Sequence, residues 1–216
     1  MRPGVLSATI LLSALGIAHD AAAETPFERQ VLAALNGVRT DPASFARDLQ
    51  QYRTYFHGTL LHYPGQMSDL ETEEGVAAVD ETVAFLAKQP PLAPVANAPL
   101  LAASASDLAA DQAGGGTGHE SSDGASPGDR ARRHGGGAYI AEVIAYGPMD
   151  AADVVRQLVV DDGVPDRGHR MILYAPELRF AGVACGPHAQ YDMVCVIDLS
   201  VTQDGRPSLD QRRTIR

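Results

Sequence analysis

Three residues have types and surroundings that could do chemistry together: His119, Glu142 and His169. His119 opens the polar run His119-Glu120-Ser121-Ser122-Asp123-Gly124. Glu142 interrupts the apolar stretch from Tyr139 to Ala145, and His169 sits in Arg167-Gly168-His169-Arg170 ahead of Met171-Ile172-Leu173. A carboxylate with apolar neighbours on both sides calls for a partner, because an unpaired buried charge is expensive. Two imidazoles and a carboxylate suffice to bind a divalent metal of the zinc kind with a coordination position left open. Spacing alone leaves a plainer reading standing, in which the histidines are surface or satisfied core residues and Glu142 lies on an exposed edge.

Other formal matches carry less. Gly124-Ala125-Ser126-Pro127-Gly128 fits the G-x-S-x-G pattern, with Ser126, Asp161 and His169 in hydrolase order. Proline defeats it, since the oxyanion hole of that elbow needs the N–H of the residue after the nucleophile, and no apolar strand precedes Ser126. His119-Glu120-x-x-Asp123 resembles a zincin motif lacking its second histidine, but that motif needs a helix and its glycine and serine neighbours favour a turn. Gly114-Gly115-Gly116 has no P-loop lysine and follows no strand. Neither cysteine has a histidine beside it in sequence to activate it.

The elements that must position these residues read as follows. Thr25-Pro26-Phe27-Glu28 has the form of a capping box, followed by Val31, Leu32, Leu35 and Val38 at helical spacing, with fraying expected at Asn36-Gly37. Asp41 caps a second helix from Pro42, whose Phe45, Leu49, Tyr52 and Phe56 share one face, before a loop holding His57, His62, Pro64 and Gly65. Residues 74–88 form a third helical pattern stopped by Pro90-Pro91, and Asn97 is placed to cap an alanine-rich fourth helix ending near Gln112. Residues 113–137 are rich in turn formers and long enough to be functional. Tyr139 to Ala145 reads as a strand, Asp150 and Asp153 open a helix, 161–170 is a polar loop, and Phe180 to Cys185 and Met193 to Val201 are strands. Helices before and between a few late strands make an α+β layered domain.

Residues 1–23 have the form of an export signal: Arg2, a 14-residue apolar stretch from Val5 to Ala18, and Ala21-Ala22-Ala23 as cleavage site. The stretch is too short to span a bilayer, and an uncleaved anchor or a buried core helix is the alternative to a cleaved signal. Cleavage near Ala23 would place the rest in a periplasm or outside the cell. The formal net charge of −10, with 17 basic and 27 acidic residues, argues against a nucleic-acid backbone as partner. Cys185 and Cys195 are the only cysteines, and a bridge between them would clamp one hairpin; two buried free thiols are the alternative.

Taken in order, Leu35-Asn36-x-x-Arg39, His119-x-x-x-Asp123-Gly124, Arg130, Ala141-Glu142-x-Ile144-x-x-Gly147, Gly168-His169-Arg170 and Gly182-Val183-Ala184-Cys185-Gly186 resemble the CAP superfamily. This superfamily takes in the cysteine-rich secretory proteins, the plant pathogenesis-related class 1 proteins and their secreted bacterial relatives. The likeness runs from about residue 29 to residue 200, and Asp161-Asp162-Gly163-Val164 is similar to a bacterial branch with an enlarged N-terminal helical region. It implies an α-β-α sandwich in three layers, with a small antiparallel sheet between helices and a central cavity. One domain would span 24–200, divided into a helical half, 24–113, and a cavity and sheet half, 114–200, with a polar tail at 201–216.

The resemblance also implies roles. His119 and His169 match the family's metal-binding histidines, with zinc as the expected ion. Glu142 matches the acid of its usual Glu-Asn pair, and Arg130 an arginine bracing the loop after the first histidine. The chain departs where the family has Glu-Asn, having Glu142-Val143, and offers no glutamate in the helix after Asp150. Asp161 or Asp162 could supply the second acid, and Asp162 is carried as the candidate. Three functions follow, in order of preference: an exported binding protein holding a divalent metal and meeting a lipid, polysaccharide or protein partner; a metal-assisted hydrolase with Glu142 as base; and an envelope interaction module with a vestigial site.

Overall fold

The computed structural model describes residues 24–148 and 150–208; the expected export segment and residues 209–216 of the expected tail lie outside them. Helix α1 (Pro26–Thr40) starts at the capping box: Glu28 donates its N–H to Thr25 Oγ1 at 3.2 Å, and Glu28 Oε2 accepts the Thr25 N–H at 2.6 Å. It does not fray at Asn36-Gly37. The Asn36 amide exchanges two hydrogen bonds with the backbone of Val95, at 2.8 and 3.0 Å, instead of competing for its own helix. Helix α2 (Pro42–Arg53) is capped by Asp41 and ends before Phe56, which belongs to a small antiparallel sheet, β1 (Phe56–His57), β2 (Leu60–Leu61) and β3 (Leu70–Glu71), where a loop was expected.

Helix α3 (Val76–Leu86) and strand β4 (Ala96–Asn97) follow. Asn97 is therefore a strand residue. Helix α4 (Pro99–Asp111) begins after Ala98 with no side-chain cap, because alanine carries no acceptor, and the Ala98 N–H is donated to the Ala181 carbonyl across the sheet. The turn-rich segment contains α5 (Pro127–Arg133), followed by β5 (Ala141–Tyr146) and α6 (Ala151–Val160). Part of the expected 161–170 loop is helix α7 (Gly168–Leu173), and the hairpin β6 (Phe180–His188) and β7 (Asp192–Ser200) completes the domain.

The larger sheet has the order β4-β6-β7-β5. Pairing is antiparallel for β6 with β7 and for β7 with β5, but β4 runs parallel to β6, so the sheet is mixed rather than wholly antiparallel. Because β4 comes from residues 24–113, the two expected halves share one sheet. Cys185 faces Cys195 directly across the β6–β7 register, and the two form a disulfide.

Side-chain alternation divides the core. Val143, Val183, Ile197 and Leu199 pack with Val31 and Leu35 of α1 and Val154 and Leu158 of α6. Ile144, Ala184, Val194 and Val196 pack on the opposite face with Ala105, Leu108 and Ala109 of α4. Helices thus cover both faces, and the fold is α+β. Gly182 lets α4 lie close: a Cβ there would stand 1.9 Å from the Ala102 nitrogen. The first residues of the expected tail are tied down, since Gly137 and Tyr139 donate N–H groups to Asp204 and Gly205 and Arg206 donates to the Gly135 carbonyl. Among the described residues no helix is long and apolar enough to cross a membrane.

Candidate functional site

Strand β5 places Glu142 on the α4 face of the sheet, and its side chain is 1% exposed. Both carboxylate oxygens are engaged. Arg130 of α5 donates from Nη2 to Oε2, and His119 Nδ1 lies 2.9 Å from Oε1. A carboxylate only accepts, so Nδ1 carries a proton and Nε2 is the ring nitrogen left uncommitted by this pair. The His119 side chain is half exposed, at 51%.

Arg130 is fully buried and does more than pair with Glu142. Its Nη1 donates to the carbonyls of His119 and Ala125, each at 3.0 Å, and to Ser121 Oγ at 3.3 Å. One guanidinium therefore fixes the carboxylate and the loop that carries its imidazole partner. The loop is held from its other side by Tyr146, whose hydroxyl accepts the Gly118 N–H at 2.9 Å and donates to Gln112 Oε1 at 3.0 Å. Gln112 Nε2 returns to the Gly118 carbonyl at 2.6 Å.

Asp198 stands opposite Glu142 in the β5–β7 register and is fully buried. Neither oxygen has a partner at hydrogen-bond distance, and Ser104 and Glu142 are the polar side chains facing it. Burial first, and the neighbouring Glu142 carboxylate second, push the Asp198 pKa well above the usual carboxylate range. The neutral acid balances the charge of the cluster: one guanidinium against one carboxylate.

His169 is held in a second, separate pair. Its Nδ1 lies 2.6 Å from Asp161 Oδ1, and Asp161 Oδ2 accepts the backbone N–H groups of His169 at 2.9 Å and Arg170 at 3.2 Å. Asp161 closes α6 in a left-handed conformation, φ 57°, and Arg167 repeats that conformation, φ 53°, one residue before α7. Two strained non-glycine residues thus bracket the turn that delivers His169. Arg170 anchors α7 beneath, donating to the Val159 and Val160 carbonyls and to Thr82 and pairing with Glu81. Helix α7 packs on β5, so the two imidazole–carboxylate pairs stand on adjoining elements.

Asp162 is placed differently from its neighbour. Its oxygens accept the N–H groups of Glu73, Glu74 and Gly75 at 2.7 to 3.0 Å, which ties the entry of α3 to the end of α6. The acid beside His169 is Asp161. Ser126 is the N-cap of α5 in a capping box with Asp129, and Asp123 pairs with Arg133, so the two rejected motifs have local structural work. One residue of the cluster, Asp198, escaped sequence reasoning. Asp198 carried a usable signal, being an acid inside Val194-Cys195-Val196-Ile197-Asp198-Leu199, as Glu142 is inside its own apolar run. The choice of Asp161 over Asp162 carried none, since adjacent aspartates differ only in where the backbone aims them.

As a donor set the site offers two imidazoles whose Nδ1 atoms are taken by carboxylates. Among the described residues no group of three or more His, Cys, Asp or Glu side chains is gathered as a metal-holding cluster. Set beside known proteins, the chain matches no family model, no curated protein and no solved structure.

Proposed function

We propose that the protein is an exported binding protein of CAP type, an α-β-α sandwich whose recognition element is the imidazole pair His119 and His169, able to hold a divalent ion of the zinc kind. One observation carries this reading: each imidazole has Nδ1 against a buried carboxylate, Glu142 or Asp161, leaving Nε2 as the nitrogen that remains to bind. A carboxylate behind a histidine fixes the tautomer and ring plane and raises the basicity of the opposite nitrogen, which is the outer-shell arrangement of metal-ligating histidines. Helices on both faces of the sheet and the placement of Arg130 between Glu142 and the His119 loop support the same family reading.

The hydrolase reading stands second because of Glu142. A general base must reach the water it activates. Both Glu142 oxygens are occupied, and its side chain is sealed from solvent by Arg130 and the sheet. The residue acts on His119 rather than on a substrate. Metal on the two imidazoles would supply Lewis acidity, while Glu142 and Asp161 would orient the rings.

Titration of zinc into metal-stripped protein, beside the His119→Ala/His169→Ala double variant, tests the reading. One equivalent bound by the parent and none by the variant is the expected result. Equal behaviour of the two proteins would remove the imidazole pair from the function.

A further inference from the structure

A cleft of about 550 Å³, whose lining includes neither histidine, lies between the small β1–β3 sheet and α6. Four of the chain's seven tyrosines and one of its five phenylalanines line it, a concentration that packing elsewhere in the domain does not need. Tyr52, Phe56 and Tyr63 form one wall, with ring centroids 5.0 Å apart for Tyr52 and Phe56 and 5.9 Å for Tyr52 and Tyr63. Tyr146 and Tyr191, 5.4 Å apart, form the facing end. Along α6 the floor is polar, with Asp153, Arg156 and Gln157. The volume falls in the range of small-ligand sites, which runs from about 300 to 1,000 Å³.

Each common ligand class can be weighed against this lining. An anion, phosphate included, meets Glu71, Glu73, Asp153 and Asp162 around a single arginine, so the field opposes it. A quaternary ammonium meets the like charge of Arg156, whose guanidinium carbon lies 4.8 Å from the Tyr52 centroid and 5.5 Å from that of Tyr63. An acyl chain would satisfy the rings but would lay hydrocarbon against the charged Arg156–Asp153 pair and the Gln157 amide bonded to it. A sugar meets both demands. Its ring offers C–H faces to aromatic π-faces and hydroxyls at its edges that both donate and accept, matching carboxylate, amide and phenol. Burial raises the pKa of the Tyr52 and Tyr63 phenols, so they stay as neutral O–H groups beside such a ligand.

We propose that this cleft binds a neutral glycan segment, stacked between the Tyr52–Tyr63 wall and Tyr191 and hydrogen-bonded along α6. The assignment is independent of the imidazole pair. Calorimetric titration with chitotetraose, cellotetraose, xylotetraose and maltotetraose, with oleate and tetramethylammonium as competing classes, tests it. At least one oligosaccharide is expected to bind saturably at one per chain. Tyr63→Ala and Tyr191→Ala, on opposite walls, are each expected to weaken it about tenfold. Tyr139→Ala, an exposed ring outside the cleft, is expected to leave it unchanged. Circular dichroism establishes that each variant folds; Tyr191 is a partly exposed ring at the β6–β7 turn whose ring neighbours are Tyr146 and His188. The assignment is overturned if none of the four sugars binds, if binding survives both truncations, or if oleate or tetramethylammonium binds in their place.

Discussion

Asp198 and Glu142 occupy one register position of the sheet, and the protein keeps them there by making them chemically unlike. Glu142 has a guanidinium and an imidazole; Asp198 has neither and retains its proton because burial and the adjacent carboxylate disfavour a second charge. In the unfolded chain Asp198 titrates near pH 4. From there up to its raised folded pKa the unfolded chain holds fewer protons than the folded one, so this residue lowers stability as pH rises. Asp198→Asn abolishes that contribution. Urea unfolding of parent and variant from pH 4 to pH 8 is expected to show the variant gaining relative to the parent by up to about 1.4 kcal/mol per pH unit. Parallel pH curves would mean that Asp198 ionises normally. At this scale sequence reading reached His119, Glu142, His169 and Arg130 but not Asp198, whose closeness to Glu142 comes from the β5–β7 register, which joins residues far apart in the chain.

Between elements, the ties that matter for His169 run through the joint of α3, α6 and α7. Arg167 pairs with Glu74 and Glu81, and the Arg167 hydrogen bond holds the Glu74 pKa down to about 2. Asp162 accepts three backbone N–H groups at the entry of α3. Its truncation to Ala strands those donors, and denaturant unfolding is expected to show a loss of about 1–3 kcal/mol. Zinc stoichiometry is expected to be unaltered, because Asp161 holds the imidazole. A fall in stoichiometry would show that the joint itself sets the His169 ring. Helix α7 was invisible in the sequence for a physical reason: six residues make fewer than two turns, so no periodicity accumulates, and its entry through a left-handed Arg167 carries no glycine signal. The two-residue strands of the small sheet escaped likewise, being too short for alternation to show. The long faces of α2 and α6 and the hairpin strands were legible, because three or more repeats of one period point the same way.

Across the whole molecule, β6 and β7 are flanked by strands on both sides and covered by helices on both faces, while Leu60 and Leu70 of the small sheet are exposed. Amide exchange is expected to be slowest in the middle of β6 and β7 and fastest, among strands, in β1 to β3. Uniform protection across both sheets would contradict that division. The layered α+β character could be read from the order of elements. The parallel β4–β6 contact could not, since it rests on two residues brought together by α4 closing on Gly182.

Tyr146 belongs to two neighbourhoods at once: its ring is part of the aromatic cleft, and its hydroxyl receives the N–H of the residue before His119. A cleft occupant that turns this ring pulls on the His119 loop, and an occupant of the imidazole that shifts the loop turns the ring. Thermodynamic linkage then leaves no freedom about direction or size: whatever factor one ligand imposes on the affinity of the other, it receives the same factor in return.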